Sequence, residues 1–212
     1  MVKFGQRLKD ECARHADWEE HCVDYGELKR LIETRNGAGQ SSAISAYLNG
    51  PSTPSLQFRY ALDGEIEKAV LFVLQEQGSI ASELDQLAVR RAKLVNNILC
   101  NLLHNEDAYS TAPTDKQIRA ALKELEKLHG RYSMAARSVL QFVAFVDLNI
   151  TAVHKILKKH DKYSRPKLSY SYLSAYSNQY VDSHLDTLYN DDGLSSLVAT
   201  VKRAFKEIHN LE

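Results

Sequence analysis

The chain has 212 residues, 44% of them hydrophobic, and its 27 lysines and arginines are balanced by 27 aspartates and glutamates for a formal net charge of zero. Such a chain can bury a sizeable core in one large domain or two small ones. Its neutrality argues against the broad positive excess of a general nucleic-acid binder, and makes any local cationic cluster more informative. Cys12, Cys22 and Cys100 have no CxxC spacing, give no zinc or disulfide signal and suit a reducing compartment. No stretch approaches the roughly 20 apolar residues of a membrane span. No signal peptide is visible, because Met1–Asp10 has no apolar core. A cytosolic or cytosol-facing chain is expected, and the sequon Asn149-Ile150-Thr151 is read as accidental.

In chain order, Phe4, Leu8 and Cys12 are spaced for a short amphipathic helix from Lys3 to about His15. A second helix is predicted from Asp17, with Glu20 at N3 of a capping box, to about Arg35, where Asn36-Gly37 stops it. The two form a helical hairpin over 1–35. Residues 36–55, rich in Gly, Ser, Ala and Asn, read as a flexible loop. Thr53-Pro54 then opens the longest element. Its positions 66, 70, 73, 77, 80, 84, 87, 91, 94 and 98 alternate steps of four and three, a sustained heptad repeat with Gln77 and Arg91 as its polar members. A turn at 105–113 and a capping box of Thr114 with Gln117 begin a return helix of similar length, so 56–148 holds two long bundle helices. After the 149–163 stretch, Arg165-Pro166 breaks the pattern. Residues 166–212 carry two further helices, one on Leu173, Tyr176, Tyr180, His184 and Leu188, and a last amphipathic one from Leu194 to Ile208 that could close a three-helix core. No alternating strand pattern occurs. The predicted class is all α, an N-terminal hairpin packed on an elongated three-helix bundle with two long antiparallel helices.

The stretch 149–163 is the most informative. Lys155, Lys158, Lys159 and Lys162 fall within an arc of about 100° on a helix, with Val153, Ile156, His160 and Tyr163 on the other side. Like charges at i,i+3 and i,i+4 cost about 0.2–0.5 kcal/mol each, and no glutamate sits one turn ahead to offset them. A multivalent anion would relieve this repulsion, whereas the bland reading is a solvated lysine face. On the second helix Lys29 follows Tyr25 by one turn. It either snorkels from the core or grips an anion beside the tyrosine hydroxyl. Asn149 and Thr151 either cap a new turn or mark a kink. His154 and His160 read as packing or surface residues. No glycine-rich phosphate loop, HExxH, G-x-S-x-G or dinucleotide fingerprint occurs, so no catalytic residue, metal or cofactor is expected.

Lys3-Phe4-Gly5, Tyr25-x-x-Leu28-Lys29, and Leu148-Asn149-Ile150-Thr151 followed by the lysine stretch resemble, in order, the three signatures of the SPX domain family. The resemblance covers essentially the whole chain, 1–212, as a single domain. It implies a sensor of cellular phosphate status that binds inositol hexakisphosphate or inositol pyrophosphates. By that resemblance Tyr25, Lys29 and Lys159 match the core phosphate-binding cluster. Lys155, Lys158 and Lys162 match the surrounding lysines, with Lys3 as an addition. The sequence departs from the family pattern at the extra Val2 and at Ile150-Thr151-Ala152-Val153, where the family often has aromatic-Thr-Gly-aromatic. Expected partners are the inositol phosphate and a protein partner or fused effector domain, with no nucleic acid and no membrane insertion. Both a stand-alone protein and a fragment of a longer one, such as a polyphosphate polymerase subunit, fit. The alternative is a helical oligomerisation or adaptor module whose lysines serve only solubility.

Overall fold

The computed structural model describes residues 4–37, 54–103, 114–164, 167–173, 188 and 192–209. Among them are six helices and no strand: α1 (Phe4–Cys12), α2 (Tyr25–Gly37), α3 (Pro54–Leu103), α4 (Asp115–Tyr163), α5 (Ser169–Leu173) and α6 (Asp192–His209). The all-α expectation holds. Most of the loop expected over 36–55, and most of the helix expected around Tyr176 to His184, lie outside the described residues.

α1 buries Leu8 and Cys12, as its spacing requires. The second helix does not start at Asp17. Residues 13–22 are successive turns, held by bonds such as Trp18 N–H to His15 C=O at 2.9 Å and Cys22 N–H to Trp18 C=O at 2.8 Å. α2 begins at Tyr25, capped by Asp24, whose Oδ1 accepts the Glu27 N–H at 2.8 Å. The physical reason lies in two side chains far along the chain. Asn149 Oδ1 accepts the Val23 N–H at 2.8 Å, and Glu65 Oε2 accepts the Asp24 N–H at 2.7 Å. Those donors are therefore taken out of any helix running through from Asp17. The cysteine reading is also corrected, since Cys12 and Cys22, with Cα atoms 6.5 Å apart, form a disulfide. It ties the end of α1 to the segment leading into α2.

α3 starts at Pro54 and runs 50 residues. Ile66, Val70, Val73, Ile80, Leu84 and Leu87 of its heptad are buried. α4 starts with the predicted capping box: Thr114 N–H donates to Gln117 Oε1 at 2.9 Å, and Gln117 N–H to Thr114 Oγ1 at 3.4 Å. It runs unbroken through Asn149 to Tyr163, so the lysine stretch is the last part of a long helix. By length and composition α4 is apolar enough to cross a membrane, contrary to the sequence expectation. Here Phe142, Phe145, Val146, Val153 and Ile156 are buried inside the protein, whereas Leu122, Met134 and Leu140 of the same helix are exposed.

The chain forms two compact units, Met1–Leu74 with Ala144–Asp191, and Gln75–Val143 with Asp192–Glu212. In the second, Ile80, Leu84 and Leu87 of α3, Leu128, Tyr132 and Val139 of α4, and Leu197, Val201 and Ile208 of α6 are buried. This is the predicted three-helix core. Arg91, the polar heptad member, pairs with Glu207 of α6 instead of spoiling the seam. The first unit sets the N-terminal hairpin against α3 and α4. Trp18 lies edge-on to Phe145 at 5.3 Å, and His21 stacks on Phe72 at 4.5 Å. This unit positions the candidate site.

Candidate functional site

The site begins with how α1 fixes Tyr25. Phe4 meets the Tyr25 ring edge-on, with centroids 5.2 Å apart. One residue on, a Cβ at Gly5 would lie 3.1 Å from Tyr25 Cδ1, so the glycine is what lets the tyrosine lie this close to α1. Phe4 also receives Lys155 of α4, whose Nζ stands 4.5 Å over the ring centroid, a cation–π contact. One phenyl ring thus touches a predicted site residue on each of two helices. Lys3, immediately before it, lies outside the described residues. A cleft of about 370 Å³ opens beside Gly5, Lys9, Tyr25, Gly26 and Lys68.

Along α2, Tyr25, Lys29 and Glu33 are each one turn apart on one face. Glu33 reaches α4: its Oε1 lies 2.8 Å from Lys159 Nζ and 3.6 Å from Lys29 Nζ. The two cations assigned to the core cluster therefore share one carboxylate. Lys159 is the more enclosed, with 21% of its side chain exposed against 39% for Lys29. The Lys159 hydrogen bond holds the Glu33 carboxyl below the usual glutamate range despite some desolvation, and Lys29 adds to the effect. Burial pushes the Tyr25 hydroxyl above its ordinary value; Lys29 opposes this and Glu33 adds to it. At neutral pH the site is thus a neutral phenol, a carboxylate and a group of ammonium ions.

Tyr25, Lys29, Lys155 and Lys159 are brought together through Phe4 and Glu33. Lys158 and Lys162 are exposed on the same stripe of α4, with Lys162 Nζ 5.5 Å over the Tyr163 ring. The buried side of the stripe is anchored firmly. His160 stacks on Phe58 with centroids 4.5 Å apart, and its Nδ1 faces Asp161 Oδ1 at 3.2 Å. Asp161 accepts the N–H groups of Leu168 at 2.7 Å and Ser169 at 3.0 Å, and also the Ser169 hydroxyl. It therefore fastens the chain after α4 back onto the end of that helix. Among the described residues no group of three or more His, Cys, Asp or Glu side chains is placed to hold a metal ion.

Three important residues escaped the sequence reading. Glu33 carried a signal, since it stands on the Tyr25–Lys29 face at the next i+4 position. Phe4 reads in the sequence only as an apolar member of α1. Asn149, where the sequence allows a cap or a kink, is fully buried and bridges the Val23 N–H to the Phe145 carbonyl, donating to the latter from Nδ2 at 2.8 Å. Its burial also closes the sequon to glycosylation in the folded protein.

No family model matches the chain. It is 27% identical over 216 residues to an SPX domain-containing membrane protein of Oryza sativa subsp. indica, covering 99% of this chain and 26% of that protein. It is 25% identical over 215 residues to another of that description from Arabidopsis thaliana, covering 100% and 26% respectively. The chain is SPX-like throughout. It spans about a quarter of the length of these curated relatives, which are named as membrane proteins. The SPX fold itself recurs in a solved structure, the SPX domain of Chaetomium thermophilum glycerophosphodiester phosphodiesterase 1 in complex with inositol hexakisphosphate. The TM-score is 0.60 at 19% identity, over 98% of this chain and 99% of that one. The SPX resemblance drawn from the three sequence signatures is met on both counts.

Proposed function

We propose that this chain is a non-catalytic sensor domain that binds inositol hexakisphosphate or an inositol pyrophosphate and relays phosphate status to a partner protein or fused domain. The ligand meets Tyr25 and Lys29 of α2 and Lys155, Lys158, Lys159 and Lys162 of α4, and Lys3 is added to them on the family resemblance alone. The observation that carries this reading is the convergence of Lys29 and Lys159 on the single Glu33 carboxylate. Two cations from separate helices already share one anion, and a polyphosphate offers them several.

The chemistry follows from charge. Lysines are point charges on flexible stems and suit phosphates presented at several angles. Ligand phosphates relieve the repulsion along the α4 stripe and cross-link it to α2. Ligand binding therefore tightens the hairpin against α4, and the ordered surface or the bound ligand is what a partner reads. The relatives' membrane-protein names fit a sensor on the cytosolic side of a membrane. Replacing Lys29, Lys155 and Lys159 together by Ala removes three charge-assisted contacts of about 1.5 kcal/mol or more each. The affinity for inositol hexakisphosphate, read by displacement of a labelled ligand, falls on the order of a thousandfold, with the far-ultraviolet dichroism unchanged. Undiminished binding by a folded triple variant would place the site elsewhere. If the wild type binds nothing and scatters light as an oligomer, the adaptor reading takes over.

A further inference from the structure

We infer that Glu33 is a resident counter-anion of the basic surface, holding Lys29 and Lys159 in the unliganded protein and giving way to the first phosphate. The inference rests on the ligand proposed above and adds what regulates its affinity. A carboxylate in an anion site repels an incoming phosphate for as long as it stays in place. Glu33 is placed for the counter-anion role. Its Oε1 stands 2.8 Å from Lys159 Nζ and 3.6 Å from Lys29 Nζ, where a phosphate oxygen bridging the two ammonium groups would sit. It is 54% exposed, while its closer partner Lys159 is 21% exposed. The carboxylate can therefore swing into solvent at little cost, and the more enclosed ammonium stays to receive the ligand. It does not titrate away on its own near neutrality, because Lys159 holds its carboxyl below the ordinary range.

The pairing also serves the unliganded fold. Without a counter-anion, Lys29 would stand close to Lys159 and to a stripe already carrying Lys155, Lys158 and Lys162. Glu33 ties α2 to α4 until ligand arrives, then leaves a site already assembled. Its price is competition. Breaking a part-exposed pair, and keeping a carboxylate beside incoming phosphates, weakens every anionic ligand that must enter between the two lysines.

The test is calorimetric titration of wild type, Glu33→Gln and Glu33→Ala with inositol hexakisphosphate, with dichroism as the control for folding. Both variants should bind about 1.5-fold to fivefold more tightly than wild type, because removing the charge is what matters. If wild type binds and the variants bind equally or less tightly, Glu33 positions the lysines instead, and this inference alone is overturned. If wild type does not bind at all, the ligand reading falls and takes this inference with it.

Discussion

Replacing Asn149 by Ala probes the joint on which the site depends. The side chain is fully buried, and it accepts the N–H of Val23, itself 2% exposed, across 126 positions of sequence. The Phe145 carbonyl that it also caps keeps its place within α4, so the main loss falls on Val23. A buried N–H left without a partner costs about 1–3 kcal/mol, and the lost amide leaves a small void beside it. A total of about 2–4 kcal/mol follows, or a fall in melting temperature of about 4–16 °C for a chain of this size. Trp18 is the single tryptophan, is buried in the same unit and packs edge-on to Phe145, so its fluorescence during urea unfolding reports this joint. Asn149→Asp sharpens the test. It keeps the acceptor for Val23 but turns an oxygen toward the Phe145 carbonyl, so the buried carboxyl favours its protonated, donating form. Its folded pKa is raised, so its deficit against wild type should be smallest below about pH 4 and grow as pH rises through the folded value. An Asn149→Ala midpoint within about 0.5 kcal/mol of wild type would refute the reasoning, since only surface changes are that mild.

Two further outcomes are expected. Reducing the Cys12–Cys22 bridge, or replacing both residues by Ser, opens a loop closed over a separation of 10 residues and should cost about 3 kcal/mol by chain entropy; equal urea midpoints with and without dithiothreitol would contradict it. For Asp161, burial alone would raise the carboxyl, but hydrogen bonds from Ser169, Leu168 and His160 hold it below the aspartate value of 3.8. Its contribution to stability is therefore complete above that value and is lost as pH falls through the folded one. Asp161→Asn should be destabilised most at neutral pH and converge on wild type in acid, as followed by Trp18 fluorescence; a deficit that widens in acid would show the sign to be wrong.

What the sequence disclosed and what it hid separate along a physical line. The α3 heptad, the Thr114–Gln117 box and the lysine stripe of α4 are periodic or local, and each is found where it was read. The sequence places the start of α2 too early because Trp18, Cys22 and Tyr25 fit a helical face, while the groups that hold its start at Tyr25 are Glu65 and Asn149, 41 and 126 positions away. The same distance hides the Glu33–Lys159 pair, although the stripe's unrelieved repulsion had signalled that an anion belongs there. The disulfide was invisible because an odd number of cysteines without close spacing carries no pairing signal. Only the fold of residues 13–22 brings Cys12 and Cys22 together. The convergence of Tyr25, Lys29, Lys155 and Lys159 came from the family resemblance, and its means, Phe4 and Glu33, from the structure.

The most direct measurement is a calorimetric titration of the wild-type chain with inositol hexakisphosphate, an inositol pyrophosphate and orthophosphate, each at two salt concentrations. A polyphosphate sensor binds the inositol ligands far more tightly than orthophosphate, and the affinity falls as salt screens the ammonium groups. No heat from any inositol ligand at low salt would contradict the account and leave the stripe of α4 a solvated face.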